Sequence, residues 1–231
     1  MGSSEELALE VHQRLMKAHG RPSRGNRAKP LDVLISTILS QNTNDINRDR
    51  AFLSLRERFP TWELVRDAQP EKVIEAIRMA GLANRKGPRI QQVLREITKE
   101  RGDLDLGFMK SYEPDEARRW LLRFHGVGPK TAAIVMLFAL NMPAFPVDTH
   151  VYRLTGRLGL RDEKISAEKA HDQLAQLFPI DTYYDVHLNL IRHGRKVCHA
   201  RRPRCEICIL NDLCVYYQSL QQQDKINENV G

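Results

Sequence analysis

The chain has 231 residues, 42% of them hydrophobic and 28% charged, the composition of a folded globular protein rather than a disordered one. Its longest uncharged apolar run, residues 132–141, is about half of the ~20 residues that a membrane-spanning helix needs. Lys and Arg outnumber Asp and Glu by 36 to 29, and the net charge of +7 favours polyanionic partners without choosing one.

The first residues, Met1-Gly2-Ser3-Ser4-Glu5-Glu6, have neither the basic n-region nor the apolar h-region of a secretory signal. Glu6 also stands where a myristoylation signal has Ser or Thr. The expectation is an intracellular, reducing location, which in a bacterium means cytoplasm and nucleoid, with no membrane contact. Periodicity is then helical almost throughout. Leu7, Val11 and Leu15 recur every four residues, and Val73, Ile74 and Ile77 share a face, as do Val93, Leu94 and Ile97. Residues 19–30 are basic and poor in apolar side chains, as a linker is. Asn44, Thr61 and Ser166 suit helix N-caps. Pro70 suits the first turn of a helix that Gly81 ends, and Gly102 closes the next. Residues 142–148 carry two prolines and must leave a helix that ends near Asn141. The polar stretch 221–231 should fray. No period-two run and no Asn-Gly or Asp-Gly hairpin is present, so the fold class is all-α, with about ten to twelve short helices.

Two constellations carry chemistry. In Leu121-Leu122-Arg123-Phe124-His125-Gly126-Val127-Gly128-Pro129-Lys130-Thr131, one helix ends, two glycines turn the chain and Pro129 opens the next helix. Gly126 and Gly128 let the backbone approach a phosphate, and the free N–H groups of the following turn favour an anion, so this helix–hairpin–helix could hold one DNA phosphate without reading sequence. Lys130 falls in the first turn, where the helix dipole disfavours a cation. It either pairs with phosphate or, as a neutral amine, attacks an aldehyde. Asp148 precedes the helical run Thr149-His150-Val151 and suits an N-cap, and a carboxylate there can also stabilise a cation, one oxygen capping while the other faces a cleft.

The second constellation is Cys198, Cys205, Cys208 and Cys214, spaced C-x6-C-x2-C-x5-C. Four thiols within seventeen residues can surround one metal centre, and four thiolates suit zinc and an iron–sulfur cluster equally. Arg201, Arg202 and Arg204 lie between the first two cysteines. On a loop pinned at both ends they would clamp phosphate at a low ordering cost.

Gly126-Val127-Gly128-Pro129-Lys130-Thr131-Ala132, then Val147-Asp148-Thr149-His150, then the cysteine run resemble, in order and spacing, the endonuclease III branch of the helix–hairpin–helix DNA glycosylase superfamily. The resemblance runs from about residue 5 to about residue 216. It implies a two-lobed all-α fold, with a helical barrel over 31–142 and a second lobe of 1–30 plus 143–231. It implies a 4Fe–4S cluster on the four cysteines, and damaged double-stranded DNA bound by a monomer across the cleft between lobes, with the base flipped out.

By the same resemblance Lys130 attacks the sugar C1′ and Asp148 assists. The implied activity is a bifunctional glycosylase and abasic-site lyase for oxidised pyrimidines, cutting 3′ to the lesion by β-elimination. Ser40-Gln41-Asn42-Thr43-Asn44 resembles the segment whose glutamine fills the gap, here Gln41. Gly81-Leu82-Ala83-Asn84 resembles the loop whose leucine wedges the opposite strand, here Leu82, which its own surroundings in sequence would assign to a core. Phe124-His125 stands where the family has Leu-Pro, and Asn42 and Asn44 stand where alanine and aspartate are common. These departures bear on base preference. A mismatch thymine or uracil glycosylase, or a modified-cytosine glycosylase, would share the fold. A DNA-binding module without catalysis is the reading from another class, and Lys130 with Asp148 weighs against it.

Overall fold

A computed structural model describes residues 3–25 and 28–228 of the chain. The described residues form twelve α-helices, several 3-10 turns and one π-helical turn, with no strand among them. None of these helices is long and apolar enough to cross a membrane. The leader positions Met1 and Gly2, and 229–231 of the polar tail, lie outside the described residues. The chain divides into two compact units, Asn26–Met142 and Met1–Gly25 with Pro143–Gly231.

In the unit Asn26–Met142, prolines open α2 (Pro30–Ser40), α5 (Pro70–Ala76), α7 (Pro114–Leu122) and α8 (Pro129–Val135). A missing N–H costs nothing in a first turn. Asn44 caps α3 (Asp45–Arg58) by accepting from the Asn47 N–H at 2.8 Å, and Thr61 caps α4 (Trp62–Asp67) through the Leu64 N–H at 3.3 Å. The helix begun by Pro70 stops earlier than the glycine signal suggests. Ile77 leaves helical geometry at φ −105°, and the chain tightens into a 3-10 turn, Arg78–Ala80, which Gly81 ends at φ +67°. Gly102, left-handed at φ +83°, closes α6 (Ala83–Arg101) as expected.

The core of this unit follows the apolar stripes. Ile90, Val93, Leu94 and Ile97 of α6 are buried, as are Leu34, Ile35, Ile38 and Leu39 of α2 and Leu55 of α3. Helix α2 packs on α3, α6 and α8. Each such side chain contributes roughly 1.5–3 kcal/mol through the area it removes from water. Gln91, one of the buried polar side chains, donates from Nε2 to the carbonyls of Val65 (3.0 Å) and Ala68 (2.8 Å), groups left over at the end of α4. Helix α8 runs into the π-helical turn Met136–Leu140, which ends at Asn141 with φ +59°.

The other unit begins with α1 (Ser4–His19), started by a capping box between Ser3 and Glu6. It continues with α9 (Thr149–Arg157), α10 (Ala167–Leu177, capped by Ser166 through the Lys169 N–H), α11 (Tyr183–Lys196) and α12 (Val215–Glu228). Helix α11 packs on both α1 and α9. The tail does not fray at residue 221, because α12 carries through to Glu228. Its first turn is tied back to the preceding loop, where the Gln218 N–H donates to the Cys214 carbonyl and Gln218 Nε2 to the Asp212 carbonyl.

Candidate active site and metal centre

The turn between α7 and α8 is held from beneath by Phe124 and Val127, both buried, with the Val127 N–H donating to the Phe124 carbonyl at 3.0 Å. Gly126 is left-handed at φ +84°, and a Cβ there would fall 2.2–2.3 Å from Arg89 Nε and Cδ. Any other residue there would be strained by the dihedral and would have to displace the Arg89 side chain, which also holds Gln41. Gly128 precedes α8 as its extended cap residue, and the Ala132 N–H donates back to its carbonyl. Lys130 is then the second residue of the helix and its side chain is exposed.

Gln41 ends α2 and reaches the same turn. Its Nε2 donates to the Gly126 carbonyl at 3.0 Å, while its Oε1 accepts from Arg89 Nη1 at 2.9 Å. A pure acceptor on one side and a pure donor on the other fix which way the amide faces. Sequence pattern marks Gln41 and Gly126 separately. It does not mark Arg89, whose signal is long-range. Leu82 lies in the turn before α6 with φ +51° and is 48% exposed, so the assignment to a core that its sequence surroundings favour does not hold.

Asp148 lies in the other unit. It caps α9, with Oδ1 accepting from the N–H groups of His150 (2.9 Å) and Val151 (2.8 Å). Both cap bonds land on one oxygen, so the expected division of labour between the two carboxylate oxygens is available. Two buried imidazoles set the segment leading to it. His171 Nδ1 donates to the Phe145 carbonyl and His187 Nδ1 to the Pro146 carbonyl, each at 2.9 Å. Because a carbonyl only accepts, Nδ1 carries the proton in both rings. These histidines are also invisible to local pattern; their only trace is a polar residue on the apolar face of α10 and of α11.

The four cysteines form no disulfide and border one recess that is open in part to solvent. Burial pushes the thiols of Cys205 and Cys214 up, and that of Cys208 up to about 11, with the neighbouring sulfurs adding to the effect. Such a set becomes thiolate only against a strong positive charge. All four cysteines line that same recess, together with Arg157, Arg204 and Tyr216. Four sulfur donors on one short segment can hold either a zinc ion or an iron–sulfur cluster.

Nitrogen donors reach two of the sulfurs. Arg157 Nη1 donates to Cys198 Sγ at 3.2 Å and to the His199 carbonyl at 2.7 Å, and His193 Nε2 lies 3.3 Å from Cys208 Sγ. Arg153 grips the Cys198 carbonyl through Nε (3.1 Å) and Nη2 (2.8 Å). Helix α9 therefore carries Asp148 at its start and the cysteine loop's clamps at its end. Arg201, Arg202 and Arg204 stand exposed on that loop, Arg202 with a left-handed backbone at φ +51°.

Comparison with known proteins bears on this geometry. The model for HhH-GPD superfamily base excision DNA repair proteins matches residues 35–179, and that for the iron–sulfur binding domain of endonuclease III matches residues 198–214. Endonuclease III of Thermotoga maritima is 33% identical over 93% of this chain and 93% of its own length. A putative DNA glycosylase of Arabidopsis thaliana is 35% identical over 79% of this chain, which spans only 64% of that protein. A solved trapped endonuclease III–DNA covalent intermediate superposes with a TM-score of 0.80 at 25% identity, covering 96% of this chain and all of the other. The chain belongs to the endonuclease III family, iron–sulfur members of the helix–hairpin–helix superfamily of base excision DNA repair proteins.

Proposed function

We propose that this chain is a bifunctional DNA glycosylase and abasic-site lyase that removes oxidised pyrimidines from duplex DNA. The observation that carries the reading is Lys130, an exposed amine in the first turn of the helix after a Gly-Val-Gly turn whose Gly126 has the left-handed backbone that favours glycine. In the proposed sequence Lys130 Nζ attacks C1′ and the C1′–N bond breaks with its electron pair leaving on the base. Loss of an amine proton and opening of the sugar ring at O4′ then give a protonated imine. Removal of a C2′ proton expels the 3′ phosphate by β-elimination, and water releases the lysine. Asp148, with one oxygen engaged in the cap, has the other to stabilise the developing cation. The trapped covalent intermediate solved for an endonuclease III supports a covalent route in this family.

On this reading residues 31–142 hold the nucleophile, the hairpin amides of Gly126 and Gly128, and the two residues that enter the duplex, Gln41 and Leu82. The lobe of 1–30 plus 143–231 carries Asp148 and a 4Fe–4S cluster on Cys198, Cys205, Cys208 and Cys214. That group acts as a brace for the basic loop, so that Arg201, Arg202 and Arg204 meet DNA phosphates. The protein acts as a monomer.

Borohydride trapping on a duplex with one abasic site tests the nucleophile. Wild type gives a covalent adduct, while Lys130→Gln binds the duplex but gives none and cleaves slower by on the order of 10³-fold or more. An adduct with the variant overturns the assignment. Parallel duplexes carrying thymine glycol, a thymine–guanine mismatch or 5-methylcytosine test base choice, and fastest release of thymine glycol is expected.

A further inference from the structure

Lys86 is a buried cation that plays no part in the chemistry at Lys130 and Asp148. It is only 2% exposed, and burial lowers its pKa from the usual lysine value. No carboxylate pairs with it among the described residues. Instead Nζ donates to two backbone carbonyls, Leu39 and Ala80, each at 2.8 Å. Both carbonyls belong to final helical turns, Leu39 in α2 and Ala80 in the 3-10 turn Arg78–Ala80, where they have no partner of their own and the helix end is negative.

The positions of these two carbonyls matter. Gln41 follows Leu39 by two residues, and Leu82 follows Ala80 by two residues. Shortly after each anchor the backbone turns left-handed at a residue with a side chain, Asn42 at φ +52° and Leu82 at φ +51°. A left-handed leucine costs roughly 1–2 kcal/mol and persists only where its surroundings dictate it. A third fixed point acts on the Gln41 side, where Arg89 and the Gly126 carbonyl hold the amide.

We propose that Lys86 is a positioning residue, a single ammonium that ties the ends of two separate segments together and so sets the spacing between Gln41 and Leu82. The inference rests on the reading that these two side chains enter the DNA duplex. An uncharged bridge would satisfy one carbonyl poorly, and a carboxylate would be repelled by both. An ammonium, with three donors on one atom, holds two acceptors at a fixed separation.

The test uses the cluster-loaded full chain and a duplex with a tetrahydrofuran abasic analogue opposite 2-aminopurine, whose fluorescence rises when it is unstacked. Wild type at saturation raises the signal, and Leu82→Ala serves as the reference for loss. Lys86→Met is expected to lose most of the rise, while binding of undamaged duplex changes less than about threefold. Base release from a thymine glycol duplex should fall about tenfold further than nicking of a preformed abasic site, where no base has to be expelled. If Lys86→Met does not fold, Lys86→Arg keeps the charge and displaces the carbonyls, and a partial loss of the rise is expected.

A full rise with either folded variant overturns the proposal, as does an equal fall of both activities. A wild-type protein that raises the fluorescence but neither releases bases nor nicks would refute the proposed activity and leave the role of Lys86 standing. A wild type without any rise refutes the role of Lys86 together with the reading that Gln41 and Leu82 enter the duplex, while base release and nicking decide the activity separately.

Discussion

The helical unit around α2 and α6 and the loop of residues 197–214 reach order by opposite routes. The first buries Leu34, Ile35, Ile38, Leu39, Ile90, Leu94 and Ile97 completely or nearly so. In the second, Leu210 alone is buried, and the four cysteines and three arginines are half-buried or exposed. Backbone carbonyls there are claimed one by one, by Arg153, by Arg157 and, from α1, by Arg14, which donates to the Ile209 carbonyl at 3.1 Å and to Asp212 at 2.6 Å. One region is stabilised by area, the other by donors and, on the proposed reading, by the cluster that its four cysteines would hold. A segment with so little core keeps a single shape only when something inside it is ligated.

The largest effect that would break this contrast comes from the loop. Cys208→Ser should abolish the brown absorbance of the iron–sulfur protein and cost several kcal/mol, comparable with the stability of a small domain. Hydrogen exchange should then show residues 197–214 open, with α6 still protected, and protection of that loop in the colourless variant would refute the ligand account. Next in size is the core. Leu94→Ala leaves a cavity at a fully buried site and should cost about 2–5 kcal/mol in urea unfolding without bleaching the protein; a loss under about 1 kcal/mol would mean that the stripe is not what holds the unit.

The smallest change in stability should come from Arg201, Arg202 and Arg204 replaced together by alanine, within about 0.5 kcal/mol because all three are exposed. Their effect belongs to DNA. The slope of log affinity against log salt should fall by roughly 2 to 3, about 0.9 for each phosphate that is no longer neutralised. An unchanged slope would show that the loop is ordered for some other purpose.

What the sequence discloses depends on whether a group acts locally. The caps at Asn44, Thr61 and Ser166, the prolines opening α5 and α8, and Gly102 all act within four residues, and all are legible. The cysteine spacing is equally local. Lys86 is not legible, because Asn84-Arg85-Lys86 reads as a solvated surface and its two acceptors lie 47 and 6 residues away. Arg89 on Gln41, across 48 residues, and His187 on the Pro146 carbonyl, across 41, are hidden for the same reason. The polar stretch after residue 220 misleads in the other direction. It lacks an apolar stripe, yet its helix is continued from a first turn that the cysteine loop anchors.

Four described residues other than glycine have a left-handed backbone, and three of them, Asn42, Leu82 and Arg202, stand in or beside segments proposed to meet DNA. Glycine at position 82 would relieve roughly 1–2 kcal/mol of strain and would cost the fold no buried surface comparable to a core side chain. Selection for heat resistance alone would therefore drift toward glycine there. If Leu82 enters the duplex as proposed, a lineage that keeps leucine there gives up stability for repair, and a laboratory search for sturdier versions of this enzyme would first erode the positions proposed to meet DNA.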